Sequence, residues 1–185
     1  MRYIYYYYPK VLNLKKIKKL NKFILNNSES NEKDIPSKVV VKKVEVNVIG
    51  WSILKKCDVL EDIEDLIDHT NTEAFNFNIQ PLNKYDYVNY NTYTAKSKSE
   101  YDWHFDGEPF EKKYTLKLTV LINLSEKKFK GGDFYLWHGQ NLHIKQFNEP
   151  GSVIIFPSFL PHKVTPLTKG ERKTLTIWKK GSWWQ

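Results

Sequence analysis

Cysteine is almost absent from this sequence, and Cys57 is its single copy. One thiol forms no internal disulfide, which excludes the small secreted domains held together by disulfide bridges and favours a reducing compartment. No apolar run approaches the roughly 20 residues that a membrane-spanning helix needs, and no unit repeats at a fixed period. The aromatic amino terminus reaches Lys10 too soon to form an apolar signal core, so we expect a cytoplasmic protein without a membrane partner.

Acidic residues are few relative to basic ones. The sequence has 29 Lys and Arg against 21 Asp and Glu, which leaves a net charge of +8 with His neutral. Such a surface attracts anionic partners such as nucleic acid or the ribosome, although a solvated basic surface without a partner has the same composition. Apolar residues make up 41% and aromatic residues 15% of the 185 positions, which excludes a disordered chain and predicts a globular fold.

The first part of the chain carries two amphipathic helical patterns. The first has Leu14, Ile17, Leu20 and Ile24 at helical spacing, with lysines between them. The second begins at Asp58, and its acidic outer face suits the helix dipole better than it suits a metal site. Around these helices we predict an opening strand at Arg2 to Tyr8, a polar surface loop at Asn26 to Lys38 and a strand at Val39 to Ile49.

The second part of the chain changes to short β-type runs separated by Asn, Gly and Pro, which is typical of a sandwich or jelly roll. Because helices come first and strands follow, we expect an all-β core with flanking N-terminal helices (α+β) rather than alternating βαβ units. We predict one domain over residues 1–185, with helical support at 1–74 and a jelly-roll core at 75–180. The predicted strands are Phe75–Ile79, Tyr85–Tyr93, Tyr114–Leu124, Asp133–Trp137, Leu142–Gln146, Gly151–Phe156, Lys163–Leu167 and Thr174–Lys179.

Three residues form a candidate metal site. His104 and Asp106 are two positions apart, and on a strand such residues project from the same face. His162 supplies a second imidazole much later in the chain. Two imidazoles and one carboxylate can occupy one face of an octahedral ion and leave the opposite positions open, as in non-haem Fe(II) oxygenases. His-x-Asp alone is a weak pattern, so the prediction depends on what accompanies it.

A candidate anion site follows on the last predicted strand. Arg172, Thr174, Thr176 and Trp178 alternate and would share one strand face. A guanidinium, hydroxyls and an aromatic wall suit a dicarboxylate whose far end needs a salt bridge. An arginine on a strand more often faces solvent, so this interpretation gains its weight from the three candidate ligands.

Several ordered blocks together resemble the 2-oxoglutarate- and Fe(II)-dependent dioxygenases of the prolyl 4-hydroxylase-like superfamily, in particular its small bacterial and tailed-phage members. The resemblance covers about Phe75 to Trp178 and implies a double-stranded β-helix, the cupin-like form of the jelly roll. The blocks are Tyr101-x-x-His104-x-Asp106-Gly107, Gly131-Gly132-Asp133-Phe134, Gly151 to Ser158, His162-x-Val164-x-Pro166 and Gly170-x-Arg172.

The resemblance implies an oxidoreductase and its cofactors. It assigns Fe(II) to His104, Asp106 and His162 as metal ligands and catalytic residues. It assigns the C5-carboxylate of 2-oxoglutarate to Arg172, assisted by Thr174. The implied reaction consumes O2 and 2-oxoglutarate and releases succinate and CO2, with ascorbate as a further candidate cofactor.

The resemblance also implies four further cosubstrate contacts. Asn123 would face the same carboxylate, and Tyr93, Tyr101 and Trp178 would line the pocket. Two of these have an ordinary alternative, since Asn123 could instead end a strand at a turn and Tyr93 is one of twelve tyrosines.

The resemblance implies a prolyl or other residue of a peptide or protein as substrate. The stretches Thr94 to Glu100, Gly107 to Lys113 and His138 to Asn141, where a substrate would be recognised, carry no readable motif. The net charge keeps open the same chemistry on nucleic acid or a ribosomal component. A non-catalytic metal-binding jelly roll is the third possibility.

Overall fold

The structure is a computed structural model that describes residues 3–30, 41–107 and 114–183. Most of the described elements are β-strands. The helices are α1 (Leu14–Asn27), α2 (Trp51–Leu54) and α3 (Ile63–Thr70), with 3₁₀ turns at Asp58–Leu60 and Lys145–Asn148 and a π-helical turn at Asn71–Phe75. The strands are β1 (Tyr6–Tyr8), β2 (Glu29–Ser30), β3 (Val41–Lys42), β4 (Glu45–Gly50), β5 (Tyr87–Thr94), β6 (Glu100–His104), β7 (Tyr114–Asn123), β8 (Lys130–Gly131), β9 (Phe134–Trp137), β10 (Asn141–His143), β11 (Val153–Pro157), β12 (His162–Val164), β13 (Leu167–Lys169) and β14 (Glu171–Ser182).

The larger sheet has seven strands in the order β1-β11-β7-β14-β5-β4-β2, and its pairs are antiparallel. Its centre is the long pair β7 and β14, in which Asn123 lies opposite Thr174 and Tyr114 opposite Ser182. Both strands are rich in β-branched and aromatic residues and are buried on both faces, as central strands require.

A smaller sheet in the order β10-β9-β12-β6-β3 faces the larger one, and β13 pairs with β8 beside them. Apolar side chains from both sheets meet between them in one cluster that includes Phe134, Phe156, Leu121 and Tyr93. Two antiparallel sheets packed in this way form the predicted jelly roll, and this confirms the expected double-stranded β-helix.

The helices cover the opposite face of the larger sheet. Asn13 caps α1 by accepting a hydrogen bond from the Lys16 amide (3.0 Å), and the helix buries Ile17, Leu20 and Ile24 against the sheet. This burial provides the second apolar cluster of the molecule. In the described part of the chain no helix has the length and apolar character to cross a membrane.

The helix α3 is also tied to the sheet by an ion pair. Lys179 on β14 is fully buried, and its ammonium lies 3.2 Å from the Asp68 carboxylate and 3.6 Å from that of Glu64. The acidic face of α3 therefore has a structural partner. The N-terminal 74 residues, predicted as helical support, also supply strands β1, β2 and β4 to the larger sheet.

The predicted strand at Phe75–Ile79 is wrong. A π-helical turn ends at Phe75, and Asn76 adopts a left-handed conformation (φ 54°) that terminates it. Phe77 and Ile79 alternate because both pack against the helical core, and residues 76–83 join neither sheet. Alternation reports which side chains are buried, and it does not require a hydrogen-bonded strand partner.

Other predicted boundaries shift. Pro166, which has no amide hydrogen, separates β12 from β13 where one strand was expected at Lys163–Leu167. The strand expected at Leu142–Gln146 ends at His143, and the helix expected from Asp58 is a 3₁₀ turn followed by α3. Three predictions extend beyond the described residues: the opening strand, the polar loop and the strand at Val39–Ile49 fall in part on residues 1–2 or 31–40. Their described parts form β1, the end of α1, β2, β3 and β4.

Alanine substitution at two glycines with similar positive φ angles tests how closely the segment before α1 packs against the chain. Gly151 (φ 79°) accepts a hydrogen bond from the Leu12 amide (3.1 Å), and a Cβ there would collide with the Leu12 carbonyl. Gly139 (φ 70°) has open space around its Cβ position. Chemical denaturation should show that Gly151→Ala lowers the free energy of unfolding by about 3 kcal/mol or more, and that Gly139→Ala lowers it by about 1 kcal/mol. Equal losses would contradict the close approach of Leu12.

Candidate active site

A cavity of about 470 Å³ lies between the two sheets. One wall is the inner face of the larger sheet, where side chains of β5 and β14 form two parallel rows. The other wall comes from β6 and β12 of the smaller sheet. The polar and aromatic residues that line the cavity include Asn89, Asn91, Tyr93, Tyr101, His104, Asp106, His162, Arg172, Thr174, Thr176 and Trp178.

The three predicted metal ligands meet in this cavity. His104 ends β6 and lies directly opposite His162, the first residue of β12, with 4.1 Å between the ring centroids. Asp106 lies two residues beyond β6, where its amide donates to the Ser158 carbonyl (3.0 Å). The three candidate ligand atoms lie within 4.8 Å of one another. The chain therefore brings them together, although Asp106 is positioned by a turn and not by strand alternation.

Both imidazoles are oriented by the backbone. His104 Nδ1 donates to the Asp102 carbonyl (2.7 Å), and His162 Nδ1 donates to the Leu160 carbonyl (3.0 Å). A carbonyl only accepts, so each Nδ1 carries the proton and each Nε2 keeps its lone pair for a metal. Burial and the neighbouring His162 lower the pKa of His104 to about 4, which keeps the ring neutral at neutral pH.

The Asp106 carboxylate is held by a hydroxyl pair that the sequence did not reveal. The Thr119 hydroxyl on β7 donates to Asp106 Oδ2 and lies 3.0 Å from the Ser158 hydroxyl. Two imidazoles and one fixed carboxylate form the donor set that suits Fe(II), so these residues fit the ion that the resemblance implies. The sequence signal was weak: Thr119 shares a strand face with Asn123, but nothing in the sequence connects β7 with Asp106.

Arg172 lies in the same cavity, and no described carboxylate lies within ion-pair distance of its guanidinium, although Asp133 acts on its charge from farther away. Its side chain is 1% exposed, and none of the three guanidinium nitrogens makes a well-formed hydrogen bond. The guanidinium carbon lies 5.0 Å from the Tyr93 ring centroid and 5.6 Å from that of Phe147. Burial lowers the pKa of Arg172, and the neighbouring Tyr93 opposes that shift. A buried cation of this kind needs an anion, and a carboxylate of 2-oxoglutarate fits.

A glycine makes room for this arginine. A Cβ on Gly132 (φ 62°) would lie 3.1 Å from Arg172 Cδ and 2.8 Å from a Leu167 methyl. The Gly131-Gly132 pair belongs to one of the sequence blocks that carry the resemblance. Gly132 also lets the strand pass close to the arginine stem, which fixes the direction of the guanidinium.

The other predicted cosubstrate contacts divide into two groups. Tyr93, Tyr101, Thr174 and Trp178 all line the cavity. The Tyr101 ring stacks on His104 at 3.8 Å between centroids, and Thr174 follows Arg172 on the same face of β14. These four residues are placed where contact with 2-oxoglutarate is possible, and the contacts themselves stay predictions.

Asn123 requires a correction. It faces the space between the sheets, but it is fully buried beyond the cavity. Its amide nitrogen donates to the Phe147 carbonyl (2.8 Å), and its amide oxygen accepts from the Ser125 amide (3.0 Å). Because both ends of the side chain are used by the protein, Asn123 stabilises the end of β7, as its turn alternative predicted.

Two polar side chains of the cavity wall were not predicted, and three other histidines lie elsewhere. Asn89 and Asn91 precede Tyr93 at alternate positions of β5, and Asn91 donates to the Thr176 hydroxyl (3.0 Å). Strand alternation from Tyr93 was the signal that could have found them. His69, His138 and His143 are not among the clustered ligands. Residues 108–113 of the expected substrate loop lie outside the described residues.

The Thr119 hydroxyl gives a test of the metal site that leaves all three ligands in place. Thr119→Val keeps the shape of the side chain and removes the hydrogen bond to Asp106, so the affinity for Co(II) or Mn(II) should fall by about 10-fold to 100-fold in calorimetric titrations. Thr176→Val removes a hydrogen bond from the same sheet face without touching the triad, and it should leave the metal affinity unchanged. Equal affinities for both variants would mean that Thr119 does not position the carboxylate.

Comparisons with known proteins agree with this geometry. The sequence profile of the 2OG-Fe(II) oxygenase superfamily matches residues 88–180. A PKHD-type hydroxylase of Synechococcus sp. (strain CC9605) is 31% identical over 86 residues, which are 45% of this chain and 38% of that protein. The matched region therefore spans well under half the length of this curated relative.

Solved structures share the fold at low sequence identity. A prolyl-4-hydroxylase of Pseudomonas putida superposes with a TM-score of 0.70 and 16% identity, covering 97% of this chain and 94% of that one. A Trichoplax adhaerens prolyl hydroxylase, solved with a peptide fragment of the hypoxia inducible factor oxygen degradation domain, gives a TM-score of 0.67 and 17% identity over 95% of this chain and 83% of that one. With the matching profile over half the chain, the facing sheets and the gathered His-Asp-His cluster, the chain belongs to the 2OG-Fe(II) oxygenase superfamily.

Proposed function

We propose that this protein is a 2-oxoglutarate- and Fe(II)-dependent dioxygenase that hydroxylates a prolyl or other residue of a peptide or protein. The reaction would consume one C–H bond, O2 and 2-oxoglutarate. It would release succinate and CO2, with one oxygen atom entering the new hydroxyl group and the other entering succinate. His104, Asp106 and His162 would hold the iron, which when bound supplies the activation of O2 that no side chain can provide.

One observation carries the proposal: a metal-type donor set and a buried, unpaired guanidinium open into the same cavity. A metal site alone would suit a storage or structural role. A structural role gives no reason to bury Arg172 without a counter-charge, since an unpaired buried cation costs several kcal/mol. A dicarboxylate that reaches from the triad to Arg172 explains both features with one ligand.

The chain's own residues would perform three tasks in this reaction. Arg172 and Thr174 would bind the distal carboxylate of 2-oxoglutarate at the deep end of the cavity. Thr119 would keep the Asp106 carboxylate in one orientation, while backbone carbonyls do the same for the imidazoles. The apolar lining between the sheets would exclude water, which strengthens the charge interactions inside the site.

A peptide or protein substrate has support from the relatives. The Trichoplax adhaerens enzyme was solved with a peptide fragment, and the Pseudomonas putida protein is named a prolyl-4-hydroxylase. We include prolyl specificity in the proposal because the chain is similar to these two prolyl hydroxylases. The polar residues Asn89, Asn91 and Thr176 on the cavity wall offer hydrogen bonds that a peptide main chain could use.

Succinate release tests the proposed chemistry, because succinate is formed from 2-oxoglutarate whatever residue is hydroxylated. Fe(II)-loaded protein should convert 2-oxoglutarate to succinate in air, and Asp106→Ala and His162→Ala should reduce the rate about 100-fold or more by removing metal ligands. His143→Ala removes a histidine that lies 3.4 Å from a carboxylate outside the cavity, and it should retain activity. Succinate release that persists in both ligand variants would end the proposal. Addition of 16 Da to a proline-containing protein, detected by mass spectrometry, would identify the substrate.

Arg172 allows a separate test of cosubstrate binding. Arg172→Met keeps an unbranched side chain beside Gly132 and removes the positive charge. The dissociation constant of 2-oxoglutarate should therefore rise about 100-fold, which corresponds to a loss of about 3 kcal/mol in binding free energy. Lys173→Met changes the next residue, which lies on the opposite face of β14 and pairs with Glu171 (2.7 Å). It should bind 2-oxoglutarate as the unaltered protein does. Fluorescence or calorimetric titration with Mn(II)-loaded protein measures both constants.

A further inference from the structure

The outer face of α1 carries positive charge, and the helix itself contains no acidic residue to balance it. The helix contains five lysines among its 14 residues and neither Asp nor Glu. All five lysines are exposed, while Ile17, Leu20 and Ile24 on the opposite face are at most 1% exposed. The apolar face already secures the helix to the larger sheet, so the fold does not require these charges.

The charges are in fact arranged against the stability of the helix. Lys15 and Lys16 lie in the first turn, beside the positive end of the helix dipole. Lys15 is three residues from Lys18, and Lys18 is four residues from Lys22, which are the spacings at which like charges repel on a helix. Unfavourable charge placement on a helix without a compensating contact is more common at functional surfaces than elsewhere.

The five lysines separate into two sets. Lys19 pairs with Asp58 at 2.7 Å on the flank that faces the 3₁₀ turn, and Lys16 is close enough to act on the same carboxylate. Lys15, Lys18 and Lys22 make no ion pair with any described residue. Their i, i+3, i+7 spacing places them in a row with about 5.4 Å between successive turns, and we name these three residues the lysine row.

A neighbouring loop extends this surface. The Asn21 amide donates to the Leu124 carbonyl (3.0 Å) and to the Glu126 carboxylate (2.9 Å), which fastens the loop after β7 against α1. Lys127 and Lys128 follow directly and are exposed. The basic surface is therefore formed by two elements that the fold holds next to each other.

We propose that the lysine row binds the phosphate backbone of a nucleic acid. A row of flexible ammonium groups complements a row of phosphates, and it releases counterions when it binds them. Insertion into a membrane is disfavoured because Ile17, Leu20 and Ile24 are buried in the core, which leaves only Leu14 and Leu25 as exposed leucines of α1. The helix lies on the opposite face of the larger sheet from the cavity, so a bound nucleic acid would leave the cavity accessible and would act as a tether. This proposal does not depend on the proposed oxygenase activity.

Binding of a fluorescent 20-nucleotide oligouridylate to the full-length protein tests the proposal. Fluorescence anisotropy measures the association constant, and its logarithm should fall steeply and linearly with the logarithm of the salt concentration. The K15Q/K18Q/K22Q variant should bind about tenfold or more weakly at 50 mM salt, and the magnitude of its slope should be smaller by about 2, since each phosphate contact on a single strand contributes about 0.7. The control variant K84Q/K96Q/K145Q changes the net charge equally at exposed lysines outside α1. It should bind within about threefold of the unaltered protein.

Three results would overturn the proposal. The first is no measurable oligouridylate binding by the unaltered protein at 50 mM salt, and the second is equal weakening of that binding in both triple variants. The third is that K15Q/K18Q/K22Q loses binding to phosphatidylserine-containing vesicles while its oligouridylate binding is unchanged. The first would leave the row as a solvated surface. The second would show that only net charge matters, and the third would identify an anionic membrane as the partner. Circular dichroism and denaturation check the fold of each variant. Because the lysines repel one another, K15Q/K18Q/K22Q should be at least as stable as the unaltered protein.

Discussion

The burial of the Arg172 guanidinium is the interaction on which the organisation of the site depends. A cation with three unpaired nitrogens inside a protein costs several kcal/mol, and the surrounding structure must supply that free energy from apolar packing. The cluster between the sheets does so, with Phe134 and Phe156 fully buried beside the cavity. The site is thus prepared for an anion before the anion arrives, and the charge stays strong because water is excluded.

Strand register is what brings the two halves of the site together. Pairing of β14 with β5 sets Arg172 opposite Tyr93, and pairing of β12 with β6 sets His162 opposite His104. The side-chain period of a strand is two, so a slip of one residue in either pair would turn these groups to the other face of its sheet. Inward-facing residues of the cluster between the sheets hold both registers, for example Tyr93 of β5 and Val164 of β12. The same packing that stabilises the fold therefore specifies the catalytic geometry.

The sequence could predict residue types and spacing, but it could not predict contacts between distant segments. The triad and Arg172 were accessible because their chemistry is distinctive and their order along the chain matches a family pattern. Thr119 was not accessible, because a threonine in a central strand is ordinary and its link to Asp106 exists only after the chain folds. The role of Asn123 was misassigned for the same reason. The sequence predicted correctly that its side chain faces the space between the sheets, but it could not show that the amide nitrogen donates to the Phe147 carbonyl on a separate turn.

Unpaired charge separates functional from structural groups in this molecule better than charge alone does. Lys179 is as fully buried as Arg172, but the carboxylates of Glu64 and Asp68 neutralise it, and its role is to hold α3 on the sheet. The exposed acids of α3 likewise suit the helix dipole, whereas the lysines of α1 oppose it. Among the described residues, Arg172 on one face of the larger sheet and the lysine row on the other are two groups without an ion pair. A small ligand and an extended polyanion would complete these two faces independently, because the β-sheet between them is closed to both.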